Sequence, residues 1–441
     1  MIQELFKNAE ILTLKNQLMK VLVVGGGGRE HALCRAFSKS EKIRKIFCAN
    51  GNQGISEIAE CVNILPEDIQ GLRQFAAENN IDLTFVGSEN PLALGIADEF
   101  NNYGLKIIGA SKSAARLEAS KSFAKDFMSR HKIPTAEYKT ANSIDEAVEI
   151  LESNVFGDKD APIVVKADGL AAGKGVVVAE NRAEAVKAVH GLTQTVGDVA
   201  AQKIVLEECL IGREVSVLLF SDGKNFALMP PCRDHKRIGE GDAGANTGGM
   251  GTFTDHTLLS DRQLKQINEE IIEPTLKGAA AENFQFAGIL FLGLMLTAGG
   301  IKVLEYNVRF GDPETQVILV RLKTDFVDIC EAISNQNLSQ INIEWIAGSS
   351  ACVILAAKNY PRKPVTGDII YGLDKLYKKD DLNVFHSGTL KDKDGNVITA
   401  GGRVLGVTAT GENLDLALSK AYQAVSEIKF DGMQFRRDIG R

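Results

Sequence analysis

A short apolar strand that runs into four consecutive glycines and then into a helix constrains the fold of this 441-residue chain more than any other feature. The strand signal covers 20–24, the glycines are 25–28, and the helical pattern begins at Arg29. This order is typical of the first unit of an open parallel α/β sheet. Free N–H groups at the start of the helix then favour the binding of an anion. The sequence therefore predicts an N-terminal open parallel α/β domain over 19–120.

The residues after the glycines indicate which ligand the loop suits. A dinucleotide-binding loop needs a further glycine at position 30 or 31, and the second strand should end in an acidic residue, but it leads into Asn50. A smaller phosphate ligand is favoured instead, and the alternative is a tight turn whose glycines serve packing alone. The candidate ligands are Gly27, Gly28, Arg29, Glu30 and His31.

A second polar side chain follows a later strand of the same unit. The strand predicted over 81–87 is followed by Glu89. Ligands of open parallel sheets bind at the carboxyl ends of strands, so Glu89 can face the same crevice as the glycine loop. A sugar hydroxyl is a natural partner for this carboxylate, and the alternative is that Glu89 caps the following helix.

Composition limits the class of function. A formal charge of −7, with cationic residues scattered along the chain, argues against a nucleic-acid or membrane surface as the main partner and favours small-molecule chemistry. Seven cysteines without a C-x-x-C pair fit reduced thiols in a cytoplasmic protein. The apolar runs are too short for a membrane span, and residues 1–18 read as an extension of unknown role.

A different glycine loop lies at 169–175 between two β-branched strands. It is not a P-loop, because Gly169 to Gly173 is one residue short, Gly175 replaces the Ser or Thr that holds magnesium, and a strand follows where a helix is required. Two strands joined by small residues predict a mobile hairpin that closes over a triphosphate. Lys166 and Lys174 would reach its phosphates.

The strand that ends at 303–307 carries a candidate metal site. Glu305 and Asn307 alternate to one face and present the oxygen ligands that magnesium prefers. Arg309 lies on the same face, so that a metal and a guanidinium could together hold a phosphoryl group. The alternative is a strand end with a surface ion pair.

Between these motifs lie a possible nucleotide-crossing segment and two polar loops. The strand at 203–210 leads into a crossing segment whose backbone could meet an adenine edge, and Glu214 could hold ribose hydroxyls. The loops at 234–237 and 246–251 are too polar and glycine-rich to pack as core elements, which favours a functional role.

Five segments together carry a resemblance to a known family: GGGGREHAL, KADGLAAGKG, DHKR, NTGGMG and RFGDPETQ, in this order. From about Lys20 onward the chain resembles the phosphoribosylamine–glycine ligases of purine biosynthesis, which belong to the ATP-grasp superfamily. The resemblance implies an ATP-grasp domain over 121–345 with a mobile lid subdomain near 142–210. The segment 346–441 reads as a small mixed α/β C-terminal domain that packs against the nucleotide domain.

The resemblance also implies a reaction, in which glycine is activated by ATP as glycyl phosphate and then joined to 5-phosphoribosylamine. Mg²⁺ or Mn²⁺ would be held by Glu305 and Asn307. The implied catalytic residues are Arg309, Lys236 and Asp234; the implied ATP-binding residues are Lys125, Lys166, Gly173, Lys174, Glu207, Glu208, Leu210 and Glu214.

The remaining implied roles concern the substrates and the assembly. The substrate phosphate would lie near Gly27 to His31, with Glu89 on the sugar hydroxyls and Asp312 near an amino or carboxylate end. A monofunctional, cytoplasmic monomer or weak homodimer is expected, without nucleic-acid or membrane partners. The competing hypotheses are another ATP-grasp carboxylate–amine ligase or a carboxylase that activates bicarbonate, and a non-catalytic nucleotide-binding regulator.

Overall fold

The computed structural model of the protein describes residues 18–170, 175–196, 203–284, 286–376 and 381–441. Residues 1–17 of the extension expected at the N-terminus lie outside these ranges. A search of the described helices finds none with the length and apolarity needed to cross a membrane.

The N-terminal unit is a five-stranded sheet in which every pair of neighbours is parallel. Its strands, in the spatial order β3-β2-β1-β4-β5, are β1 (Met19–Gly25), β2 (Ile43–Asn50), β3 (Glu60–Val62), β4 (Leu83–Val86) and β5 (Ile107–Ile108). The carboxyl ends of β1 and β4 are adjacent, so the glycine loop and Glu89 lie at one edge of the sheet. The predicted parallel α/β unit is confirmed.

Six helices accompany this sheet or follow it. They are α1 (Gly28–Ser38), α2 (Ile69–Glu78), α3 (Glu89–Leu94), α4 (Ile96–Asn102), α5 (Lys112–Ala119) and α6 (Lys121–Arg130). Ser120 separates α5 from α6 and caps α6, because its hydroxyl accepts from the backbone N–H of Phe123.

A separate four-stranded antiparallel sheet covers most of the segment in which a lid subdomain is predicted. It has the order β6-β9-β7-β8 and consists of β6 (Tyr138–Ala141), β7 (Ile163–Ala167), β8 (Val176–Ala179) and β9 (Ile204–Glu208). Helices α7 (Ile144–Glu152) and α8 (Arg182–Val196) pack on it through a small apolar core of their own. The predicted hairpin is present, since β7 and β8 pair directly on either side of the glycine loop.

The largest sheet carries the strand of the candidate metal site. Its first part consists of β10 (Arg213–Asp222), β11 (Phe226–Leu228), β12 (Cys232–Asp234), β15 (Gly251–Thr254), β16 (Ala287–Thr297) and β17 (Gly300–Asn307), while β13 (Arg237–Gly239) and β14 (Ala243–Asn246) form a separate hairpin. The adjoining helices are α9 (Asp261–Ile267), a π-helical segment (Asn268–Ile272), α10 (Glu273–Ala281), α11 (Glu314–Leu319) and α12 (Phe326–Ser334).

The C-terminal segment extends this same sheet. Its elements are β18 (Ser349–Ala356), β19 (Leu382–His386), β20 (Thr389–Lys391), β21 (Val397–Thr399), β22 (Arg403–Gly411) and α13 (Leu414–Val425). Antiparallel pairing of β15 with β18 continues through β22 to β19, giving nine strands in the order β17-β16-β10-β12-β15-β18-β22-β19, with β11 beside β10. The C-terminal segment therefore joins the nucleotide domain by backbone pairing as well as by side-chain packing.

A cluster of phenylalanines brings the parallel sheet against the large antiparallel sheet. The Phe326 ring lies 4.8 Å from that of Phe37 and 5.5 Å from that of Phe85, both in the N-terminal unit. Phe220 on β10 and Phe310, just after β17, complete the cluster. Phe310 follows β17, the strand of the candidate metal site. The packing of its ring therefore positions the end of β17 against the edge of the parallel sheet that bears the glycine loop.

Phe326 tests the contribution of this cluster to stability. Phe326→Ala removes a ring that is 2% exposed and should lower the free energy of unfolding by about 3–5 kcal/mol, because a cavity remains between the two sheets. Urea-induced unfolding followed by circular dichroism measures the loss. Leu65→Ala, at a side chain that is 62% exposed, serves as the control and should change stability by less than about 0.5 kcal/mol. Equal losses would contradict this account of the interface.

Candidate active site

Glu305 and Asn307 lie two residues apart at the end of β17, so their side chains leave the same face of the sheet. Opposite Glu305 on β16 stands Gly293, where a Cβ would lie 3.0 Å from Glu305 Cγ. The glycine thus leaves room for this carboxylate. One carboxylate and one amide oxygen form a donor set that suits Mg²⁺ or Mn²⁺, which complete their coordination with phosphate oxygens and water.

Lys236 joins two carboxylates beside this donor set. Its Nζ lies 3.2 Å from Glu214 Oε2 and 3.6 Å from Glu305 Oε1. The negative charge of Glu214, and then that of Glu305, raises the pKa of Lys236 against the effect of burial. The charge of Lys236 in turn keeps the pKa of Glu305 below its ordinary value, although burial alone would raise it. Both groups are therefore charged at neutral pH.

Arg309 lies at the centre of the site. Its Nη2 is 2.7 Å from Glu118 Oε1 and donates to Asn307 Oδ1 at 3.1 Å. Its Nε is 3.3 Å from Glu89 Oε2. The structure therefore brings the predicted clamp residue, one predicted metal ligand and the predicted sugar ligand together, and adds Glu118 to them.

Glu89 is shared by two arginines. Its Oε2 lies 3.5 Å from Arg29 Nη2 in addition to its contact with Arg309. Burial acts to raise the pKa of Glu89, but the charges of Arg309 and Arg29 outweigh it and lower that pKa to about 2. Glu89 is also the first residue of α3, and Ser88 is the N-cap, so Glu89 begins this helix without being its N-cap residue.

The glycine loop is held from within by Glu30. The backbone N–H of Gly27 donates to Glu30 Oε2 at 2.6 Å, and Arg29 Nε lies 2.9 Å from Glu30 Oε1. Gly25 has a φ of +127°, and a Cβ there would collide with the Glu30 side chain. Glu30 is thus a buried support of the loop, while Arg29 also donates from Nη1 to the Phe310 carbonyl at 2.9 Å.

His31 is likewise engaged inside the protein. Its Nδ1 accepts from the backbone N–H of His386 at 2.9 Å, and the residue is only 7% exposed. Burial, followed by the proximity of His386, lowers the pKa of His31 well below its ordinary value. His31 therefore links α1 to β19 as a neutral ring. Gly28 starts α1 beside Asp312, whose Oδ1 a Cβ on Gly28 would approach to 3.6 Å.

Two predicted phosphate-binding lysines meet at Glu207. Lys125 Nζ and Lys166 Nζ each lie 2.8 Å from one of its carboxylate oxygens, and all three side chains are at least nine-tenths buried. Lys125 also donates to Thr135 Oγ1 at 2.7 Å. Burial lowers the pKa of Lys125 to about 8, although Glu207 opposes the shift. Glu207 thus serves as the counter-ion of both lysines, a role that its place in a crossing strand did not suggest.

The other predicted nucleotide contacts are more dispersed. Glu208 Oε1 lies 2.7 Å from Lys302 Nζ and accepts from the backbone N–H of Glu137 at 3.0 Å. Leu210 lies two residues after the end of β9 and is partly buried. Gly173 and Lys174 lie outside the described residues.

Asp312 is bound by the C-terminal segment. Its Oδ2 lies 3.3 Å from Arg403 Nη2, and its Oδ1 accepts from Gln316 Nε2 at 2.8 Å. Arg403 Nη1 also donates to the carbonyl of Gly248 at 2.5 Å. Burial acts to raise the pKa of Asp312, but Arg403 and Arg29 lower it overall. Arg403 thus ties the loop at 246–251 to the segment after β17.

Asp234 lies close enough to Glu314 for the charge of that residue to act on the Asp234 carboxyl group. Asp234 Oδ1 is buried and has no hydrogen-bond partner among the described residues, and Glu314 is 4% exposed. Burial, and then the charge of Glu314, raises the pKa of Asp234 well above its ordinary value, and burial also raises the pKa of Glu314. The carboxyl groups of both residues therefore favour the protonated form more than an exposed carboxyl group does.

Sequence reasoning missed three charged residues of this site: Glu118, Lys121 and Glu314. Lys121 Nζ donates to the carbonyl of Gly169, at the start of the glycine loop of the lid, at 2.8 Å. Nearby, Asp168 accepts from Ser122 Oγ at 2.7 Å and from its backbone N–H at 3.1 Å. Each missed residue is a single charge within an ordinary helix or strand pattern, and Glu314 alone lies inside a segment that the sequence marked.

Comparison with known proteins agrees with this architecture over most of the chain. Models of the phosphoribosylglycinamide synthetase N domain, ATP-grasp (A) domain and C domain match residues 19–118, 119–315 and 350–441. The chain belongs to the phosphoribosylglycinamide synthetase family. The predicted family is therefore confirmed.

Curated relatives and solved structures extend this finding. The chain is 44% identical over 422 residues to the phosphoribosylamine–glycine ligase of Caldanaerobacter subterraneus, with 96% of this chain and 99% of the relative covered. It is 46% identical over 427 residues to that of Salmonella typhimurium, with 96% and 98% covered. A crystal structure of phosphoribosylamine–glycine ligase from Thermotoga maritima matches with a TM-score of 0.81 and 32% identity, over 96% of this chain and 100% of that one.

A more distant neighbour shares the fold alone. The biotin carboxylase domain of the Hydrogenobacter thermophilus 2-oxoglutarate carboxylase matches with a TM-score of 0.71 at 18% identity, over 95% of this chain and 92% of that one. The predicted ATP-grasp architecture is thus confirmed by two kinds of neighbour.

The shifted pKa of Lys125 can be measured directly. In protein labelled with ¹³C at lysine Cε, the Lys125 resonance should titrate near pH 8, against an ordinary value of 10.5, because burial disfavours its ammonium form. Lys125→Arg assigns the resonance. The control is the exposed Lys323, whose pKa its hydrogen bond to Glu344 raises. Titration of Lys125 above pH 10 would contradict the buried arrangement around Glu207.

Proposed function

We propose that the protein joins glycine to 5-phosphoribosylamine, with conversion of ATP to ADP and phosphate, and so forms glycinamide ribonucleotide. The observation that carries the proposal is the meeting, in a member of this family, of a metal-type donor pair, an arginine and a strand-edge glycine loop within one site. Each part matches one chemical group of the reaction.

The first step is transfer of the γ-phosphoryl group. A carboxylate oxygen of glycine attacks the γ-phosphorus, the bond from that phosphorus to the bridging oxygen of ADP breaks, and glycyl phosphate forms. Lys125 and Lys166 neutralise the triphosphate, and Arg309 stabilises charge on the group in transfer. Glu305 and Asn307 would hold Mg²⁺ or Mn²⁺, which when bound supplies Lewis-acid stabilisation of phosphate oxygens.

The second step makes the amide. The amine of 5-phosphoribosylamine attacks the glycyl carbonyl carbon, the carbon–oxygen bond to phosphate breaks, and the nitrogen loses a proton. Lys236, which remains an ammonium beside Glu305, is suited to bind a carboxylate or carbonyl oxygen. Asp234, whose buried Oδ1 has no hydrogen-bond partner within the described part of the chain, is the candidate partner for the amino group.

The remaining assignments concern the ribosylamine and the nucleotide. The phosphate of the ribosylamine lies at Gly27, Gly28 and Arg29, and Glu89 binds the sugar hydroxyls. Glu30 and His31 shape the loop from inside. Further assigned contacts are Gly173, Lys174, Glu207, Glu208, Leu210 and Glu214 for ATP and Asp312 for a substrate end. We further propose a cytoplasmic enzyme with the domain boundaries given above, working as a monomer or weak homodimer on small molecules alone.

The test is release of ADP by the purified protein with ATP, glycine, freshly formed phosphoribosylamine and Mg²⁺. Release should require both glycine and phosphoribosylamine and should yield glycinamide ribonucleotide. Turnover that depends on bicarbonate and not on glycine would overturn the proposal in favour of a carboxylase. ATP binding without turnover under all these conditions would favour a regulatory protein.

Arg309→Ala tests the role of the guanidinium in the transfer. The rate constant kcat should fall on the order of 10²- to 10³-fold, because stabilisation of the transferring group is lost. The Kd for ATP, measured by calorimetry, should change little because both lysines remain. Arg73→Ala is the matched control, because it breaks an ion pair with Glu99 in the N-terminal unit. This variant should retain wild-type kcat. Unchanged turnover in Arg309→Ala would refute the assigned role.

Glu305→Gln tests the metal site. The Mg²⁺ concentration that gives half-maximal activity should rise by at least the roughly 10- to 100-fold typical of changes around a metal site, because a charged ligand becomes neutral. Titration of activity with Mg²⁺ measures the change. Glu344→Gln, at an exposed carboxylate paired with Lys323, should leave the Mg²⁺ requirement unchanged. The same Mg²⁺ requirement in both variants would exclude Glu305 as a ligand.

A further inference from the structure

Glu118 is a buried carboxylate to which sequence patterns assign no role. It lies at the second-last position of α5, and its side chain is 7% exposed. Its Oε1 lies 2.7 Å from Arg309 Nη2, and its Oε2 accepts from the backbone N–H of Val308 at 2.8 Å. Both oxygens thus engage the two residues that follow Asn307 directly.

These contacts continue to the metal-type donor pair. The same Nη2 of Arg309 that meets Glu118 donates to Asn307 Oδ1 at 3.1 Å. The Val308 bond fixes the backbone immediately after Asn307, and the ion pair fixes the plane of the guanidinium. One carboxylate therefore sets the position of the arginine and, through it, the orientation of the Asn307 amide.

Glu89, the second carboxylate that contacts Arg309, differs from Glu118 in distance, exposure and number of partners. Glu89 lies 3.3 Å from Arg309 Nε, its side chain is 27% exposed, and it also meets Arg29. The Glu118 contact is shorter and more buried than the Glu89 contact. A ligand that enters the site can reach Glu89, while Glu118 stays behind Arg309.

We propose that Glu118 is a positioning residue, which holds Arg309 and the end of β17 in the geometry needed for phosphoryl transfer. The inference rests on the proposed function and deepens it. Glu118 does not touch the reacting atoms; it acts through Arg309. Burial raises the pKa of Glu118 even though Arg309 lowers it in part.

Glu118→Gln separates the two contacts of this side chain. The amide oxygen of glutamine can still accept from the Val308 N–H, whereas the negative charge that faces Arg309 is lost. The variant should lower kcat by about 10- to 100-fold, with little change in the Kd for ATP. Glu99→Gln, which removes a carboxylate from Arg73, is the matched control and should retain wild-type kcat.

A double-mutant cycle distinguishes positioning from a general structural role. If Glu118 acts through Arg309, Glu118→Gln should add no further loss of kcat in the Arg309→Ala background. A further loss of the same size in that background, or a kcat equal to wild type in the single variant, would overturn the inference.

Crystal structures of the wild type and of Glu118→Gln give a readout that does not depend on turnover. The Arg309 guanidinium should leave Asn307 Oδ1 in the variant, and an unmoved guanidinium would overturn the inference. Failure of the proposed function appears separately, as a wild-type protein that releases no glycine-dependent ADP; the crystallographic comparison then still decides the role of Glu118.

Discussion

The ion pairs around Arg309 are the interaction on which the rest of the site depends. Arg309 and Arg29 are removed from water where the edge of the parallel sheet meets the end of β17, and such charges must be paired to be tolerated there. Glu118, Glu89 and Glu30 supply the pairing from the N-terminal unit. The ion pairs of the site therefore also help to hold the two sheets together.

The lysines near the lid follow the same rule with a different consequence. Glu207 neutralises Lys125 and Lys166 on the lid side of β17, where Lys166 also donates to the Leu304 carbonyl at 3.3 Å. A triphosphate that binds these lysines must share them with Glu207 or displace it. The arrangement keeps the cations in position without a ligand, and its desolvation lowers the pKa of Lys125 toward neutrality.

The sequence predicted most of the fold because its signals are local. An apolar strand that leads into a glycine loop or toward Glu89 can be recognised from one short segment of sequence. The same holds for the two β-branched strands on either side of the loop at 169–175. The continuation of the large sheet from β15 into β18 could not be predicted, since it joins strands about a hundred positions apart. The ion pairs of Glu118 and Glu207 could not be predicted for the same reason, because their partners lie in other elements.

The same contrast limits what the sequence predicts about the directions of the side chains that follow the glycine loop. Glu30 and His31 follow the glycines in sequence, and adjacency suggested that both face the ligand. A helix that starts at Gly28 turns successive side chains by about 100°, so neighbours in sequence point in different directions. Glu30 turns back to the Gly27 N–H, and His31 turns toward β19. Arg29, which precedes both in the sequence, is the side chain that reaches Glu89 and the edge of the site.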